Sequence, residues 1–433
     1  MSARRSILHT LSLATVLRLV RLALSFGLTC ALTRYLGASG FGQLGVAMAI
    51  IAILQCIGEL GFSRYTVREL IHRPQEQPEV LGTTITARFL VSAALFAGTM
   101  IWIVWARPAG AVLIAVYALQ LLTNPGTEVL AWLEAHDRAR DTFKAQFTGF
   151  LVSAACIAAG IVCKAPLWFF ALTYGLEGWI YITLCWRVFH RNGGRMRLRA
   201  FRWPRALQLI RRSWPELASQ AALLLLFRLD TVMIEWLRGN EEAGVYSAAV
   251  RVSEMAYFVP SVLATLFLPR LISARPNDSE YRRRAVDYLS ASVVLALVVA
   301  AGLFITSPLL PLAFGGEYER SADMLRVHAW AFIPYAVGIA RTQILTVEDH
   351  LVANLPSVVL AVGINAALNL AWVPAHGGLG AAWATLVAYA VAWVLGTYLS
   401  PGLRTHVSGF LTRAVMGLPR FTLLQARSLL RHS

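Results

Sequence analysis

Charged side chains are scarce in this sequence. Only 14% of its 433 residues are Asp, Glu, Lys or Arg, whereas 57% are hydrophobic. A soluble globular domain carries about a quarter of its residues as charged ones, so the composition excludes that class. The apolar residues do not alternate with polar ones at period two, which excludes the strands of a membrane barrel. The sequence therefore predicts an all-α polytopic membrane protein.

Cysteine is rare, and motifs for covalent chemistry are missing from the sequence. The five cysteines lie in apolar stretches without a C-x-x-C pair, and we interpret them as small apolar residues. The sequence contains no nucleotide-binding P-loop, no metal-ligand cluster and no nucleophile motif. These absences favour a transporter over an enzyme. They also predict no cofactor other than a coupling cation, Na⁺ or H⁺.

Apolar stretches of about 20 residues, the length that crosses a bilayer, recur along the chain. Charged residues, prolines and glycines separate twelve of them. We place the spans at 13–35, 41–62, 83–105, 110–134, 144–163, 166–186, 215–237, 243–268, 286–306, 323–346, 352–373 and 378–399. Arg18 and Arg21 interrupt the first stretch, which is also too long for a cleaved signal peptide.

Basic residues outnumber acidic ones by 39 to 23, and they are concentrated between the spans. With the N-terminus in the cytoplasm, the inward segments hold roughly two dozen Lys and Arg and the outward ones about four, as the positive-inside rule requires. Topology and contact with anionic bilayer lipids account for this charge, so no nucleic-acid partner is expected. The sequence predicts a multi-pass protein with both termini in the cytoplasm.

The most basic inward segment divides the twelve spans into two sets of six. The resulting regions are an N-terminal lobe, a basic cytoplasmic linker, a C-terminal lobe and a basic amphipathic tail on the inner leaflet. They cover 1–186, 187–213, 214–400 and 401–433, respectively. Glycines five residues apart follow the first span of each half, Gly37 with Gly42 and Gly239 with Gly244. Related halves around a substrate path are common among transporters, so we expect two six-helix lobes around a central cavity.

Ionisable residues inside the spans are the main functional signal, because each costs roughly 2.5–3.5 kcal/mol at a helix centre. Arginines occur on five spans from both halves: Arg18, Arg21, Arg88, Arg228, Arg251 and Arg341. If they converge, they form a cationic cavity for an anion, since guanidinium groups bind phosphate oxygens through paired hydrogen bonds. The alternative is that they form ion pairs that hold helices in register.

Acidic and amide side chains suggest how transport is coupled. Asp230, Glu235 and Glu254 are candidates for ion pairing or proton coupling. Asn365 and Asn369 are four residues apart on one face of an apolar span, and Thr385 on the last span can face them. With Asp230, these three residues offer oxygen ligands that suit Na⁺. Interhelical hydrogen bonding is the structural alternative.

Three segments resemble bacterial oligosaccharide flippases of the Wzx kind. They are LTRYLGASGFGQLGVAMAI at 32–50, the segment 227–271 with its Asp, its Gly-x-Tyr and its late Pro, and GGLGAAWATLVAYAV at 377–391. The resemblance implies the fold of the multidrug/oligosaccharidyl-lipid/polysaccharide (MOP) exporters, which includes the MATE transporters. It also implies Na⁺ ligands on the seventh, eleventh and twelfth spans, where Asp230, Asn365, Asn369 and Thr385 lie. The lipid II flippase branch typically has more than twelve spans.

The function implied by the resemblance is translocation of undecaprenyl-diphosphate-linked oligosaccharides from the cytoplasmic to the periplasmic leaflet of a bacterial inner membrane. Such units are used for surface polysaccharides such as O-antigen or exopolysaccharide, and polymerase or export machinery would be a partner. One alternative is a multidrug or metabolite antiporter on the same fold, which would line its cavity with acidic and aromatic groups. Another is a glycan polymerase or ligase, for which the short outward loops leave little room.

Overall fold

The computed structural model describes residues 2–108, 110–198, 201–399 and 407–417, with side chains from residue 19 onward apart from 351–352, 399, 407 and 415–417. Within these ranges the chain is helical and contains no strand, which confirms the predicted all-α class. Eight helical stretches there are long and apolar enough to cross a membrane. The chain forms two compact units, residues 1–217 and 218–433.

The first unit consists of seven helices and the beginning of an eighth. They are α1 (Ser2–Gly58), α2 (Phe62–His72), α3 (Gln77–Ala106), α4 (Ala111–Ala118), α5 (Glu128–Ala135), α6 (Ala139–Val162), α7 (Leu167–Arg191) and α8 (Trp203–Arg238). The first predicted span and most of the second lie in α1, where a kink at Gly37 separates them. The φ of Gly37 is 67°, a value that glycine adopts without the steric cost that a Cβ would bring.

The predicted fourth span, 110–134, is a broken helix. A 3₁₀ segment, Leu119–Thr127, separates α4 from α5 and contains Pro125. Proline lacks the N–H that an α-helix requires at that position, and 3₁₀ segments longer than three or four residues are uncommon. The segment sets the position of Glu128, the first residue of α5, which is fully buried.

The basic segment that follows α7, together with the start of α8, packs against the earlier helices of the first unit. The backbone N–H of Arg197 donates to the carbonyl of Pro78 at 2.9 Å. Farther along, Arg205 forms an ion pair with Glu76 at 2.6 Å, and the Ser213 hydroxyl donates to the carbonyl of Leu60. These contacts attach much of the basic segment between the sixth and seventh spans to the helices that precede it.

In the described part of the second unit, the rest of α8 is followed by nine further helices. They are α9 (Asn240–Ala256), α10 (Phe258–Ala274), α11 (Asp278–Thr306), α12 (Leu310–Phe314), α13 (Ser321–Val347), α14 (Leu355–His376), α15 (Gly378–Ala390), α16 (Gly396–Leu399) and α17 (Val407–Gly417). The eighth predicted span breaks at Tyr257, between α9 and α10. Pro260 causes this break because it cannot donate to the carbonyl four residues earlier.

Two further features of the second unit depart from a simple bundle. A π-helical turn, Val391–Leu395, separates α15 from α16. The helix α17 buries Phe410, Leu411 and Ala414 in a hydrophobic core that it shares with α11. This part of the predicted inner-leaflet tail therefore packs against protein, and 401–406 and 418–433 lie outside the described residues.

Candidate functional site

Arg88 and Glu128 form a buried ion pair inside the first unit. Their side chains are 1% and 0% exposed, and Nε of Arg88 lies 2.7 Å from Oε1 of Glu128. The guanidinium also donates to the hydroxyls of Thr127 and Ser63. With its charge balanced and its surface covered within the unit, Arg88 fits the ion-pair interpretation better than substrate binding.

Arg341 is buried in the second unit among neutral acceptors. Its Nη1 donates to the carbonyl of Ala392 at 2.9 Å and to the Thr397 hydroxyl at 3.1 Å. Its Nη2 donates to Oδ1 of Asn354 and to the Ser357 hydroxyl. Ala392 belongs to the π-helical turn, whose altered bonding leaves carbonyls for other donors. Arg341 therefore stabilises that turn, and its placement gives no route to a substrate.

Three of the predicted arginines retain some exposure. Arg228 pairs with Glu254 at 2.8 Å, with side chains 33% and 19% exposed. Arg251, one helical turn before Glu254, is partly exposed and has no carboxylate within 4 Å among the described residues. Arg21 pairs with Glu177 at 2.9 Å in the first unit. Arg228 on α8 thus pairs with Glu254 on α9, and Arg251 is three residues before Glu254 on the same helix.

For two of the predicted residues, the structure describes no ion pair. The side chain of Arg18 lies outside the described residues. Glu235, on the last turns of α8, is partly exposed, and within the described chain no basic group lies within 4 Å of it.

The four residues predicted as a cation site lie together in the second unit. Oδ1 of Asp230 accepts from Nδ2 of Asn369 at 2.6 Å, and the same amide group donates to Oδ1 of Asn365 at 3.1 Å. The Thr385 hydroxyl donates to Oδ2 of Asp230. All four residues are at most 3% exposed. We call them the Asp230 cluster, which joins α8, α14 and α15.

Two further side chains extend this cluster, and sequence reasoning did not assign them to it. The Tyr246 hydroxyl donates to Oδ2 of Asp230 at 2.7 Å, and Nε2 of His328 lies 3.2 Å from the same hydroxyl. Tyr246 is 1% and His328 is 3% exposed. Tyr246 is the tyrosine of the Gly-x-Tyr in the segment 227–271, which is a signal that could have indicated it. His328 is a single histidine in an apolar span, and it belongs to no motif that could have indicated it.

In the described part of the chain, no neighbouring positive charge balances the carboxylate of the Asp230 cluster. No basic group lies within 4 Å of the Asp230 carboxylate among the described residues, so only neutral donors compensate for its burial. A buried carboxylate without a counter-charge is costly. Two buried atoms in the cluster, Oδ1 of Asn369 and Nδ2 of Asn365, also lack hydrogen-bond partners. A cation near Asp230 would balance the charge, and Oδ1 of Asn369 would reach it after rotation of the amide.

A second carboxylate, Glu242, lies one helical turn before Tyr246 on α9. It accepts two hydrogen bonds from Arg320, at 2.7 and 2.8 Å, and one from the backbone N–H of Gly378 at 2.6 Å. These contacts connect the beginnings of α9, α13 and α15. Because Tyr246, His328 and Thr385 lie farther along the same helices, the Glu242–Arg320 pair fixes the helices that carry the cluster.

A family model described as polysaccharide biosynthesis protein matches residues 8–274. The chain belongs to this family. The match covers the first unit and the second unit through α10, including Asp230, Tyr246 and the Arg228–Glu254 pair.

Two curated relatives are similar to the chain. One is the probable flippase AglR of Haloferax volcanii, 23% identical over 213 residues, which are 46% of this chain and 44% of AglR. The other is the succinoglycan biosynthesis transport protein ExoT of Rhizobium meliloti, 23% identical over 338 residues, 72% of this chain and 65% of ExoT. The chain therefore spans less than two thirds of the length of either relative.

Solved structures with the same fold include a multidrug resistance MATE family transporter of the MOP superfamily in its inward-facing conformation. Its TM-score is 0.70 at 14% identity, with 90% of this chain and 99% of that chain covered. The lipid II flippase MurJ, in an inward closed conformation, has a TM-score of 0.69 at 11% identity, with 94% and 91% covered. At this identity the likeness concerns the fold, and it confirms the predicted MOP architecture.

Proposed function

We propose that this protein is a flippase that moves undecaprenyl-diphosphate-linked oligosaccharide units from the cytoplasmic to the periplasmic leaflet of a bacterial inner membrane. Its membership of the polysaccharide biosynthesis family and the names of its relatives support the lipid-linked glycan class. The polymerase or export machinery that uses such units is the partner expected at the far leaflet.

The observation that carries the substrate assignment is the accessible arginine pair of the second unit. Arg228 pairs with Glu254, Arg251 is three residues before Glu254 on α9, and both arginines are partly exposed. With Glu254 as the carboxylate of this group, one of the two positive charges is uncompensated. A diphosphate can displace Glu254 from Arg228 and accept paired hydrogen bonds from both arginines. An organic cation would be repelled at the same place, which disfavours the multidrug antiporter alternative.

The mechanism needs no covalent step. The headgroup exchanges water and counterions for guanidinium contacts, while the polyprenyl chain stays in the bilayer. Alternating access then presents the bound headgroup to the other leaflet, where release restores the Arg228–Glu254 pair. Arg88 and Arg341 are buried among partners within their own units, so they contribute to stability in this scheme. The Arg21–Glu177 pair is partly exposed, as the Arg228–Glu254 pair is, and Arg21 stays a candidate contact for the headgroup.

We further propose that Na⁺ binds at the Asp230 cluster and drives the cycle. The oxygens of Asp230, Asn365, Asn369 and Thr385 are hard ligands, and the unbalanced carboxylate favours a cation. Bound Na⁺ would balance the negative charge of Asp230 where α8, α14 and α15 meet. It would therefore favour one arrangement of these helices. Proton coupling through Asp230, Glu235 or Glu254 is the competing mechanism.

Flipping by the reconstituted protein tests the substrate assignment. Arg228→Ala and Arg251→Ala should each abolish transfer of a lipid-linked oligosaccharide to the outer leaflet of vesicles, as measured with a membrane-impermeant lectin. Arg326→Ala is the matched control, because Arg326 is 41% exposed and pairs locally with Asp323. Normal flipping by both test variants would overturn the assignment.

The same vesicles test the coupling ion. If the flipping rate depends on a pH gradient and not on Na⁺, the mechanism is proton coupling and Na⁺ coupling is wrong.

A further inference from the structure

Tyr246 connects the Asp230 carboxylate to His328 through a single hydroxyl. The hydroxyl lies 2.7 Å from Oδ2 of Asp230 and 3.2 Å from Nε2 of His328. The three residues come from α8, α9 and α13, and each is at most 3% exposed. Asp230, Tyr246 and His328 therefore form a hydrogen-bond network that is buried in the second unit.

Asp230 is ionised in the cation-bound state that we propose, and counting protons in that state fixes the direction of these hydrogen bonds. A tyrosine hydroxyl has one proton, and an ionised carboxylate can only accept. The Tyr246 proton therefore points to Asp230, and the proton of the second bond must come from Nε2 of His328. The other ring nitrogen, Nδ1, is then without a proton. This agrees with its surroundings, because Nδ1 is buried and has no hydrogen-bond partner.

The network makes the two oxygens of Asp230 unequal. Oδ2 receives the hydroxyls of Tyr246 and Thr385, whereas Oδ1 faces the amide of Asn369. Within the described residues, the unpartnered Oδ1 of Asn369 belongs to the same amide that contacts Oδ1 of Asp230. An oxygen ligand without another partner is therefore available near Oδ1 of Asp230.

We infer that Tyr246 and His328 are positioning residues for the coupling cation: His328 orients the Tyr246 hydroxyl, the hydroxyl holds Oδ2, and the cation is directed to Oδ1 and the two asparagines. This inference rests on the proposed cation site. It assigns a role to two side chains from α9 and α13, outside the helices that supply the ligands.

Na⁺-dependent stabilisation of the purified protein provides the test. A ligand that binds the folded state raises the melting temperature according to its concentration relative to Kd. The melting temperature is measured over a range of NaCl concentrations, with choline chloride keeping the ionic strength constant. Tyr246→Phe removes one hydrogen bond to the carboxylate, so the Na⁺ concentration that gives a stated rise in melting temperature should be about tenfold higher than for the wild-type protein.

His328→Leu should weaken Na⁺ binding about three- to tenfold, because the Tyr246 hydroxyl loses His328 as a partner and keeps only Asp230 and Thr385. His328→Gln should restore binding, since the Gln amide presents an N–H near the position of Nε2. The Tyr246→Phe/His328→Leu double variant should bind Na⁺ as Tyr246→Phe does, because His328 acts through that hydroxyl. Tyr288→Phe is the matched control: Tyr288 is also buried in the second unit, but its hydroxyl has no hydrogen-bond partner.

Each outcome decides a different point. If the wild-type protein responds to Na⁺ but His328→Leu responds equally well, or if the double variant shows the sum of the single effects, His328 only fills space and the positioning role is wrong. If the wild-type protein does not respond to Na⁺, the cation site itself is wrong and this inference fails with it.

Discussion

In the first unit, the buried carboxylate of Glu128 lies 2.7 Å from the guanidinium of Arg88, whereas in the second unit the buried carboxylate of Asp230 contacts only neutral donors. Both groups are almost completely shielded from solvent. The first arrangement contains its own counter-charge, and the second does not. A balanced pair is complete without a ligand, so Arg88–Glu128 fits a role in stability, whereas the unbalanced Asp230 is the reason for the cation site that we propose.

The largest effect is expected from breaking the balanced pair. Glu128→Gln removes the carboxylate that pairs with the buried Arg88 guanidinium, which should lower the free energy of unfolding by about 3–5 kcal/mol. The loss should be the same with and without Na⁺, because no cation is needed at this pair. Denaturant or thermal unfolding of the purified protein measures it.

Replacing both partners sharpens this result. Arg88→Met with Glu128→Leu removes both charges, and such replacements of buried pairs are often neutral or stabilising. The double variant should therefore recover most of the stability lost in Glu128→Gln. A double variant as unstable as the single one would mean that the two charges do not act as a pair.

Asp230→Asn should have a smaller effect, and one of a different kind. The variant keeps a side chain of the same shape, and Asn369 can turn its unpartnered Oδ1 towards the new amide. Without Na⁺, the variant should therefore melt close to the wild-type temperature. At Na⁺ concentrations about 100 times Kd, the wild-type protein should gain about 2.7 kcal/mol that the variant lacks. A large loss of stability without Na⁺ would show that the carboxylate has a structural role like that of Glu128.

The convergence of the Asp230 cluster was predictable because polar residues are rare in apolar spans. Asn365 and Asn369 are one turn apart on α14, so they share a face, and buried amides need partners on neighbouring helices. Asp230 and Thr385 were among the few polar groups available in the later spans. Sequence spacing combined with the cost of an unpaired polar group therefore brought these four residues together correctly.

The surroundings of the arginines were not predictable in the same way. Arg341 is held by carbonyls of a π-helical turn, and such a turn has no distinct sequence signal. Arg88 meets Glu128 because the 3₁₀ segment around Pro125 changes the direction of the fourth span. His328 and Tyr246 were missed because aromatic side chains fit apolar helices whether or not their polar atoms are used. Partner choice depends on local backbone geometry that helical periodicity does not contain.

The smallest effect is expected at an exposed pair, which sets the scale for the buried ones. Arg282 lies 2.9 Å from Asp278 on the first turn of α11, with side chains 55% and 68% exposed. Water screens this interaction, so Arg282→Ala should lower the free energy of unfolding by only about 0.3–0.5 kcal/mol, and less at high salt. Unfolding at low and high ionic strength, with choline chloride as the added salt, measures both values. A loss as large as that of Glu128→Gln would mean that burial does not determine the strength of these pairs, and the contrast between Glu128 and Asp230 would then lose its physical basis.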